Sequence, residues 1–516
     1  MERTTAKKRY ESLKGDRDPY LRRGRDAAKL TIPSILPPDS HNGHDKLPTP
    51  FQSIGARGVN NLSNKLLMAL MPPNSPFFRL TIDDYTLEEL VQEEGARAEV
   101  EEALGRIERA VLNELEAQAI RVGVGEALKQ LIVSGNVLLY LNPEGGLRVF
   151  RLDRYVVRRD PMGNVLEIIT HETVSPLVLP PEVQASIQNE DVTGERFDKT
   201  VDLYTRIYLQ DNKWIVYQEV KGVVIPESIG DYPKDKSPWI PLRFSRIDGE
   251  DYGRGYVEEY YGDLRSLEAL TKAIVEGSAA AAKVLFFVNP NGVTQMKTVS
   301  ESESGDVRSG DAQDVSVLQM DKFADFRVAF ETIGELEQRL AFAFLMNTAI
   351  QRDAERVTAE EVRYMALELE DALGGVYSIL SLELQLPMVQ RMMHQLEKAN
   401  KIPRLPKGMV KPAITTGLEA LGRGHDLNKL DAFIGGVMQT LGGEVIMQYL
   451  NIGDYLKRRG TALGIDMKGL IKSEEQIQAE QEAQQQAMQE QMMQQMMAQG
   501  GMDMAKEVVK GGMKGD

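Results

Sequence analysis

Residues 257–287 read VEEYYGDLRSLEALTKAIVEGSAAAAKVLFF, and this stretch decides the fold. Its apolar side chains recur at alternating steps of three and four, the spacing of one face of an α-helix. The pattern predicts a helix of roughly 30 residues, about 45 Å long at 1.5 Å per residue. Its predicted apolar face includes Leu264, Leu267, Ile274 and Ala281.

A second long helix is predicted over about residues 325–351, because Ile333, Leu336 and Leu340 follow the same spacing. Between the two helices lies a polar interval, residues 289–322, rich in Ser, Gly, Asp and Glu. This order of helix, polar module and helix predicts two antiparallel rods with a small module at their tip.

The residues before the first long helix change their periodicity along the chain. Four helices are predicted, over residues 10–29, 54–71, 99–118 and 125–134. From 136 to 246 the pattern becomes strand-like, with short β-rich runs separated by turn formers. The predicted fold is therefore mainly α, with a small antiparallel β subdomain inserted into a helical frame (α+β).

The residues after the second long helix are also predicted to be mainly helical. Thr358 and Glu361 form a capping box, which predicts a helix start. Gly374-Gly375 weakens that helix, and Pro387 is expected to kink it. The composition shifts to Gln, Met, Ala and Glu after Ser473, and the last residues, from Gly500, are expected to be disordered.

Composition limits the function. The chain has 516 residues, enough for two to four domains, and its 42% hydrophobic and 27% charged residues are typical of a soluble protein. It contains no cysteine, which excludes disulfides and cysteine-based metal sites. There is no apolar run of about 18 residues and the first residues are polar, so we expect no membrane contact and synthesis in a cytoplasm.

The net charge of −16 argues against tight binding of nucleic acid, which depends on neutralising phosphates. It is compatible with a protein that encloses DNA and lets it slide, because an acidic wall repels phosphate and leaves no deep electrostatic traps.

Motifs of catalysis are mostly missing. There is no P-loop, and Gly253-Arg-Gly255 is interpreted as a turn because it lacks the third glycine of a dinucleotide site. His41 and His44 are interpreted as part of a solvated loop. A two-metal nuclease site could be imagined on the carboxylates of the long helices, but solvated or channel-facing surface is the favoured interpretation. These carboxylates are Glu258, Glu259, Asp263, Glu331, Glu335 and Glu337. We expect neither an enzyme nor a cofactor or metal.

Several stretches resemble the portal, or head-to-tail connector, proteins of short-tailed double-stranded DNA phages of the Autographiviridae type. They are YESLK at 10–14, TIPS at 31–34, IGARGVNNL at 54–62, ALKQLIVSGNVLLY at 127–140, RIDGEDYGRGY at 246–256, DLRSLE at 263–268, ERVTAEEVRY at 355–364 and LGGVYSIL at 373–380. The resemblance runs along nearly the whole chain.

This resemblance implies a dodecameric ring at one capsid vertex, built from wing, stem, clip and crown around a DNA channel. It implies the following domains: wing 1–256, with the β subdomain at 136–246; stem helices 257–287 and 325–350; clip 288–324; tunnel loop 351–357; a wing helix 358–401; crown 402–472; and a Gln/Met-rich tail 473–516.

The resemblance also implies the partners. Double-stranded DNA would pass through without sequence specificity, the wing would meet major capsid and scaffold proteins, and internal core proteins would meet the crown. The clip would contact the tail adaptor, the tail tube and the large terminase. The predicted clip contact residues are Asn289, Pro290, Asn291, Gly292, Thr294 and Gln295.

The predicted tunnel-loop residues are Gln351, Arg352, Asp353, Glu355 and Arg356. One hypothesis is that Arg352 and Arg356 make weak phosphate contacts in an otherwise repulsive bore. The alternative is that both arginines pair with Asp353 and Glu355. Two other functions are also considered, a tail adaptor or similar virion ring component and a metal-dependent nuclease.

Overall fold

The structure is a computed structural model of the chain. It describes residues 5–73, 76–82, 96–188, 200–281, 285–318, 323–346, 368–369, 371–405, 410–414, 422–441 and 452–462. Two compact units divide the chain, one of residues 1–81 and 108–420 and one of residues 82–107 and 421–516.

Helix α1 (Ala6–Lys29) begins four residues before the predicted start at Tyr10. The side chain of Thr5 accepts a hydrogen bond from the Lys8 amide at 3.3 Å. The buried carboxylate of Glu219 accepts from the amides of Ala6 at 2.7 Å and Lys7 at 3.3 Å. These bonds satisfy amide groups that have no partner inside the helix. Thr5 is a local capping signal that the sequence analysis missed, whereas the contribution of Glu219, more than 200 residues away, could not be predicted from any local pattern.

The other helices before the sheets agree with the sequence to within a few residues at their ends. They are α2 (Ile54–Leu70), α3 (Ala96–Ala117) and α4 (Ile120–Ser134). Helices α2 and α4 pack together, and their apolar faces, including Leu62, Leu66, Leu128 and Leu131, are fully buried. Their tight packing makes them the rigid part of the first unit.

The predicted β region contains two antiparallel sheets. A three-stranded sheet has the order β3 (Leu147–Phe150), β2 (Asn136–Leu141), β9 (Trp239–Arg243). A five-stranded sheet runs in sequence order through β4 (Tyr155–Arg159), β5 (Val165–Val174), β6 (Val201–Gln210), β7 (Lys213–Val220) and β8 (Val223–Pro233).

Two elements of this region were not predicted from the sequence. Strand β8 is mostly exposed and contains Pro226, so it lacks the alternation of a half-buried strand; its pairing with β7 holds it in place at the edge of the sheet. The short helix α5 (Pro181–Gln188) covers one end of the same sheet, where Val183 packs on Leu203 and Val220.

Backbone segments approach closely at Gly253-Arg-Gly255, which was predicted as a turn but is extended, because Arg254 forms an antiparallel bridge with Ser245 and Gly255 has φ of −81° and ψ of 149°. The Asn136 side chain donates to the Gly253 carbonyl at 2.9 Å and accepts from the Gly253 amide at 2.8 Å. A Cβ atom on Gly253 would come within 2.6 Å of the Ser245 carbonyl oxygen. The two glycines serve this packing, because any larger residue would separate the segments.

The first long helix is shorter than predicted. It consists of one turn, α6 (Tyr256–Glu259), followed by α7 (Tyr261–Ala281). Residues 285–287 were predicted as the end of this helix, but they belong to strand β10 (Leu285–Val288), which pairs in antiparallel register with β11 (Val315–Leu318). Leu285 continues the helical spacing, yet a run of Leu, Phe, Phe and Val suits a strand once a partner strand is available.

Helix α9 (Phe323–Ala343) is the second long helix and also ends earlier than predicted. Its end is a Schellman motif, in which the Leu345 amide donates to the Phe342 carbonyl at 3.0 Å and the Met346 amide to the Ala341 carbonyl at 2.8 Å. Leu345 takes the left-handed conformation, with φ of 55°. Glycine is the usual residue at this position. Because leucine occupies it here, the sequence carries no typical signal for the end of the helix. Between β10 and β11 lies the short helix α8 (Met296–Ser300).

A kink was expected at Pro387. Directly before that residue the structure has a π-helix over residues 381–385, flanked by α10 (Gly375–Leu380) and α11 (Leu386–Lys398). Proline has no N–H, so the carbonyl of Glu383 loses its helical partner and the turn widens. Gly374, with φ of 53°, stands at the start of α10, where the sequence predicted weakness.

Two further strands, β1 (Phe78–Ile82) and β12 (Val410–Ile414), pair with each other. The second unit contains α12 (Gly422–Leu441) and α13 (Ile452–Ala462), joined by a 2.8 Å hydrogen bond from Tyr455 to Asp431. The capping box at 358–361, the tunnel loop at 351–357 and the tail at 473–516 lie outside the described residues. In the described part of the chain, no helix is long and apolar enough to cross a membrane.

Candidate functional site in the paired helices

Helices α7 and α9 pack side by side in opposite directions. The four leucines predicted for their shared face, Leu264, Leu267, Leu336 and Leu340, are all buried. Arg339, near the end of α9, donates to both carboxylate oxygens of Asp263, near the start of α7, at 3.0 and 2.8 Å.

Burial decreases along this pair of helices. Ile274 and Ile333, which continue the two apolar faces, are only half-buried. Farther out, large apolar side chains are exposed: Val275 by 50%, Val328 by 62% and Phe330 by 70%. Neighbouring exposed apolar groups on a long helix are typical of a surface that contacts another chain. The side chain of Ala281 lies outside the described residues.

An aromatic cluster anchors the near end of the helices. The rings of Tyr256, Tyr260 and Phe344 lie 5.1–6.0 Å apart between centroids. The Tyr256 hydroxyl donates to the Ala343 carbonyl at 2.7 Å. Burial, followed by the hydrogen bond with Tyr260, raises the pKa of Tyr256, so this hydroxyl stays protonated at physiological pH. We call this end, with Leu264 and Leu340, the root.

The root is fitted against helix α2. A Cβ atom on Gly58 would lie 2.5 Å from Cγ of Phe344, so only glycine allows this approach. At the other end of α2, the amides of Phe51 and Gln52 donate to the carboxylate of Glu268 in α7, at 3.0 and 3.2 Å. Helix α2 and the segment before it therefore contact both long helices.

A groove of about 1020 Å³ lies beside the root, lined by Tyr256, Tyr260, Arg339 and the exposed ring of Phe342. Its wall is acidic, with the carboxylates of Asp263, Glu335, Glu368 and Asp371. The combination of an exposed aromatic ring and an acidic wall suits a partner with apolar and basic groups.

The cap is the name used here for residues 285–318, from β10 through α8 to β11. It is held by Asp314, whose carboxylate accepts from the Thr294 amide at 3.0 Å and whose carbonyl accepts from the Asn289 amide at 2.8 Å. The Thr294 hydroxyl donates to the Asp311 carbonyl at 3.0 Å. Gly292 lies so close to the Asp314 carboxylate that a side chain would not fit.

This arrangement separates the six predicted clip contact residues into two groups. Thr294 is buried, and Gly292 is half-buried, so both serve the fold of the cap itself. Four others are exposed and available to a partner: Asn289, Pro290, Asn291 and Gln295. The sequence analysis missed the neighbouring apolar residues Val293 and Met296, which are 78% and 75% exposed; Phe286, Phe287 and Val307 are exposed elsewhere on the cap. A search for apolar residues in an otherwise polar interval would have found them.

Three of the six carboxylates considered for a nuclease, Glu258, Asp263 and Glu331, lie beside basic side chains. Glu258 bonds with Arg254 at 2.9 Å, and Glu331 lies 3.7 Å from Arg327. No group of three His, Asp or Glu residues suited to a metal ion occurs in the part of the chain that was searched, which is the described part. The five tunnel-loop residues 351–353, 355 and 356 lie outside the described residues.

Comparison with known proteins gives the family of the chain. Residues 3–471 match the family described as bacteriophage head to tail connecting protein. The portal protein of Escherichia phage T7 is 46% identical over 481 residues, which are 92% of this chain and 89% of that protein. The portal protein of Enterobacteria phage SP6 is 30% identical over 485 residues, 93% of this chain and 92% of that protein.

The chain belongs to the family of bacteriophage head to tail connecting proteins, and its function is that of a portal. The resemblance to portal proteins of short-tailed phages is thereby confirmed. Among solved structures, the neck of an empty GTA particle aligns with 74% of this chain and 86% of its own, at 14% identity and a TM-score of 0.36. The family assignment rests on the sequence matches alone.

Proposed function

We propose that this chain forms a ring of twelve copies at the capsid vertex, with α7 and α9 as its stem and the cap as its clip. The observation that carries this proposal is the exposure of Val275, Val328 and Phe330 on the distal part of the two helices. A neighbouring copy on each side would cover these side chains, and repeated contacts of this kind close into a ring.

The acidic groove beside the root supports the same assembly. Exposed Phe342 and the carboxylates around it offer a second contact surface, at a different height along α9 from the distal one. Two contact levels along a rod fix the tilt of one subunit against the next, which one level cannot do.

The bore of this ring is the proposed path of double-stranded DNA during packaging and ejection. The net charge of −16 per chain supports passage without sequence specificity, because an acidic wall holds phosphate weakly. Arg352 and Arg356 would supply weak phosphate contacts from the tunnel loop; their pairing with Asp353 and Glu355 is the alternative.

The cap is the proposed contact for the tail adaptor, the tail tube and the large terminase. Two of its exposed apolar side chains, Val293 and Met296, lie next to the polar Asn291 and Gln295 in the chain. An apolar centre with a polar border is the composition of a protein interface. The wing, residues 1–256, would face capsid and scaffold proteins, and the crown, 402–472, internal core proteins.

Electron microscopy of the purified full-length protein, with the mass of the intact assembly, tests the ring. We expect a ring with a central hole and a mass close to twelve times 57.7 kDa. A monodisperse monomer at high protein concentration would contradict the proposal, because the distal helices would then be stable with their apolar groups in water.

A further inference from the structure

We propose that Arg57 of one copy of this chain binds in the acidic groove beside the root of the next copy, where it pairs with Glu335 and Asp371. This inference rests on the proposed ring and names the side chains that meet between two neighbouring copies in it. Arg57 is an exposed residue of α2 and lies at one side of helix α9. The acidic groove, which Glu335 and Asp371 line, opens on the other side of α9.

The two sides of α9 face two different grooves. The α9 side chains that line only the acidic groove include Glu335, Arg339 and Phe342. A second groove, of about 720 Å³, is shared with Arg57 of α2 and is lined from α9 by Gly334, Glu337 and Ala341. At about 100° per residue, the two sets lie roughly 130° apart around the helix axis. The two contact faces of a subunit in a closed ring of twelve point about 150° apart, so the two sides of α9 suit contact with two neighbours.

Arg57 carries a charge that its own chain leaves unpaired. Within the described residues its exposed guanidinium forms no ion pair, although Glu337 lines the same groove. A guanidinium binds best where a carboxylate accepts its hydrogen bonds and an aromatic ring lies against its plane. A groove that offers both groups is therefore the expected binding place for Arg57.

The acidic groove offers both groups. Two of its four carboxylates are already paired inside the chain: Asp263 with Arg339 and Glu368 with Lys65. The other two, Glu335 and Asp371, are exposed, and neither forms an ion pair in the part of the chain that the structure describes. The ring of Phe342 in the same groove is 75% exposed. An arginine in this groove would pair with the two free carboxylates and cover the ring.

Charge and symmetry together favour a second copy as the occupant. Among the described residues that line the acidic groove, Arg339 is the one basic side chain against four carboxylates, so phosphate is repelled and a guanidinium attracted. Each copy presents the groove on one side of α9 and Arg57 on the other. The contact therefore joins two different surfaces of the same chain, and such a contact can repeat from copy to copy until a ring closes.

Charge reversal in the full-length protein tests the pair. In Arg57→Glu, and separately in Glu335→Arg, we expect the concentration needed for half-assembly to rise about tenfold or more, equivalent to about 1.4 kcal/mol per tenfold step. The reason is that each change places like charges against each other in every contact of the ring. Sedimentation over a dilution series measures this concentration. The urea midpoint of the dissociated chain should stay that of wild type, because both side chains are exposed.

An equimolar mixture of the two variants shows whether the pair joins different copies. In a ring that alternates the two, the new glutamate of one variant meets the new arginine of the other, and every second contact keeps the original pair. We therefore expect the mixture to assemble at the wild-type concentration although neither variant does so alone. A mixture that assembles no better than its two components would overturn the contact.

Arg22→Glu is the matched control, because Arg22 is an exposed arginine of α1 that also forms no ion pair among the described residues. It should leave the concentration for half-assembly unchanged. An equal loss in Arg22→Glu would mean that only the net charge of the chain matters, and the contact would be wrong.

The wild-type protein separates this inference from the proposed function. If wild type forms the ring and the mixture of variants stays dissociated, the ring stands and the contact of Arg57 is wrong. If wild type itself stays monomeric, the ring is wrong and the contact fails with it.

Discussion

The root and the distal part of the paired helices follow one sequence periodicity but lie in opposite environments. At the root, Leu264, Leu340 and Phe344 are fully buried within a single chain. In the distal part, Val328 and Phe330 are exposed although they occupy the same two helices. Helical spacing thus shows that a face is apolar, but it does not show whether the same chain or another copy covers it. The root stabilises the single chain, and the distal part is the surface that we propose for assembly.

Leu340→Ala should have the largest effect on folding. Truncation of a fully buried leucine removes its contacts and leaves a cavity, at a cost of about 2–5 kcal/mol. Urea denaturation at a protein concentration where the chains are dissociated measures this loss. A cost below about 1 kcal/mol would remove the contrast between the two regions, because such values are typical of surface positions.

Phe330→Ser should act on assembly. We expect the concentration needed for half-assembly to rise about tenfold or more, equivalent to about 1.4 kcal/mol per tenfold step. Stability of the dissociated chain should change by less than about 0.5 kcal/mol, because the ring of Phe330 is exposed there. Sedimentation over a dilution series and urea denaturation measure the two quantities. An unchanged assembly would place the subunit contact elsewhere.

Tyr256→Phe removes the hydrogen bond to the Ala343 carbonyl at the root, and we expect a loss of about 0.5–1.5 kcal/mol. Because burial raises the pKa of Tyr256, the hydroxyl's contribution should be complete below about pH 10, the pKa of an unfolded tyrosine, and be lost as pH rises towards the folded pKa. Denaturation at several pH values tests this. A difference between variant and wild type that changes between pH 6 and 9 would contradict it.

Arg339→Met should have the smallest effect, about 0–1 kcal/mol, although it breaks the bond between the two long helices. Arg339 is 65% exposed, so water and salt screen its attraction to Asp263. Denaturation at low and high salt measures it, and the small loss should disappear at high salt. A loss as large as that of Leu340→Ala would show that ion pairing, and not apolar burial, holds the root together.

The sequence was most informative where local patterns decide the structure. The faces of α7 and α9 and most strands of the β region follow from spacing alone. Predictions were wrong where a distant partner contributes: residues 285–287 belong to a strand because 316–318 pair with them, and α1 starts at Ala6 because Glu219, together with the local cap Thr5, accepts its amides.

The site shows the same division. Polar composition indicated the cap, but the burial of Thr294 depends on Asp311 and Asp314, which return to it across a turn. The bond from Lys65 to the Leu345 carbonyl could not be predicted, since the two residues are far apart in the chain and neither belongs to a recognisable motif. The tunnel-loop residues stay a prediction.

Gly58 and Phe344 should evolve as a pair, although they lie far apart in the chain. A glycine that touches a buried ring cannot mutate alone, because any side chain would occupy the space of that ring. Phe344 in turn cannot shrink alone without leaving a cavity beside the helix end that it fixes. Where relatives of this phage protein have diverged, we therefore expect the two positions to change together or not at all. The residue at position 58 in α2 should therefore vary with the residue at the end of α9, almost three hundred residues away.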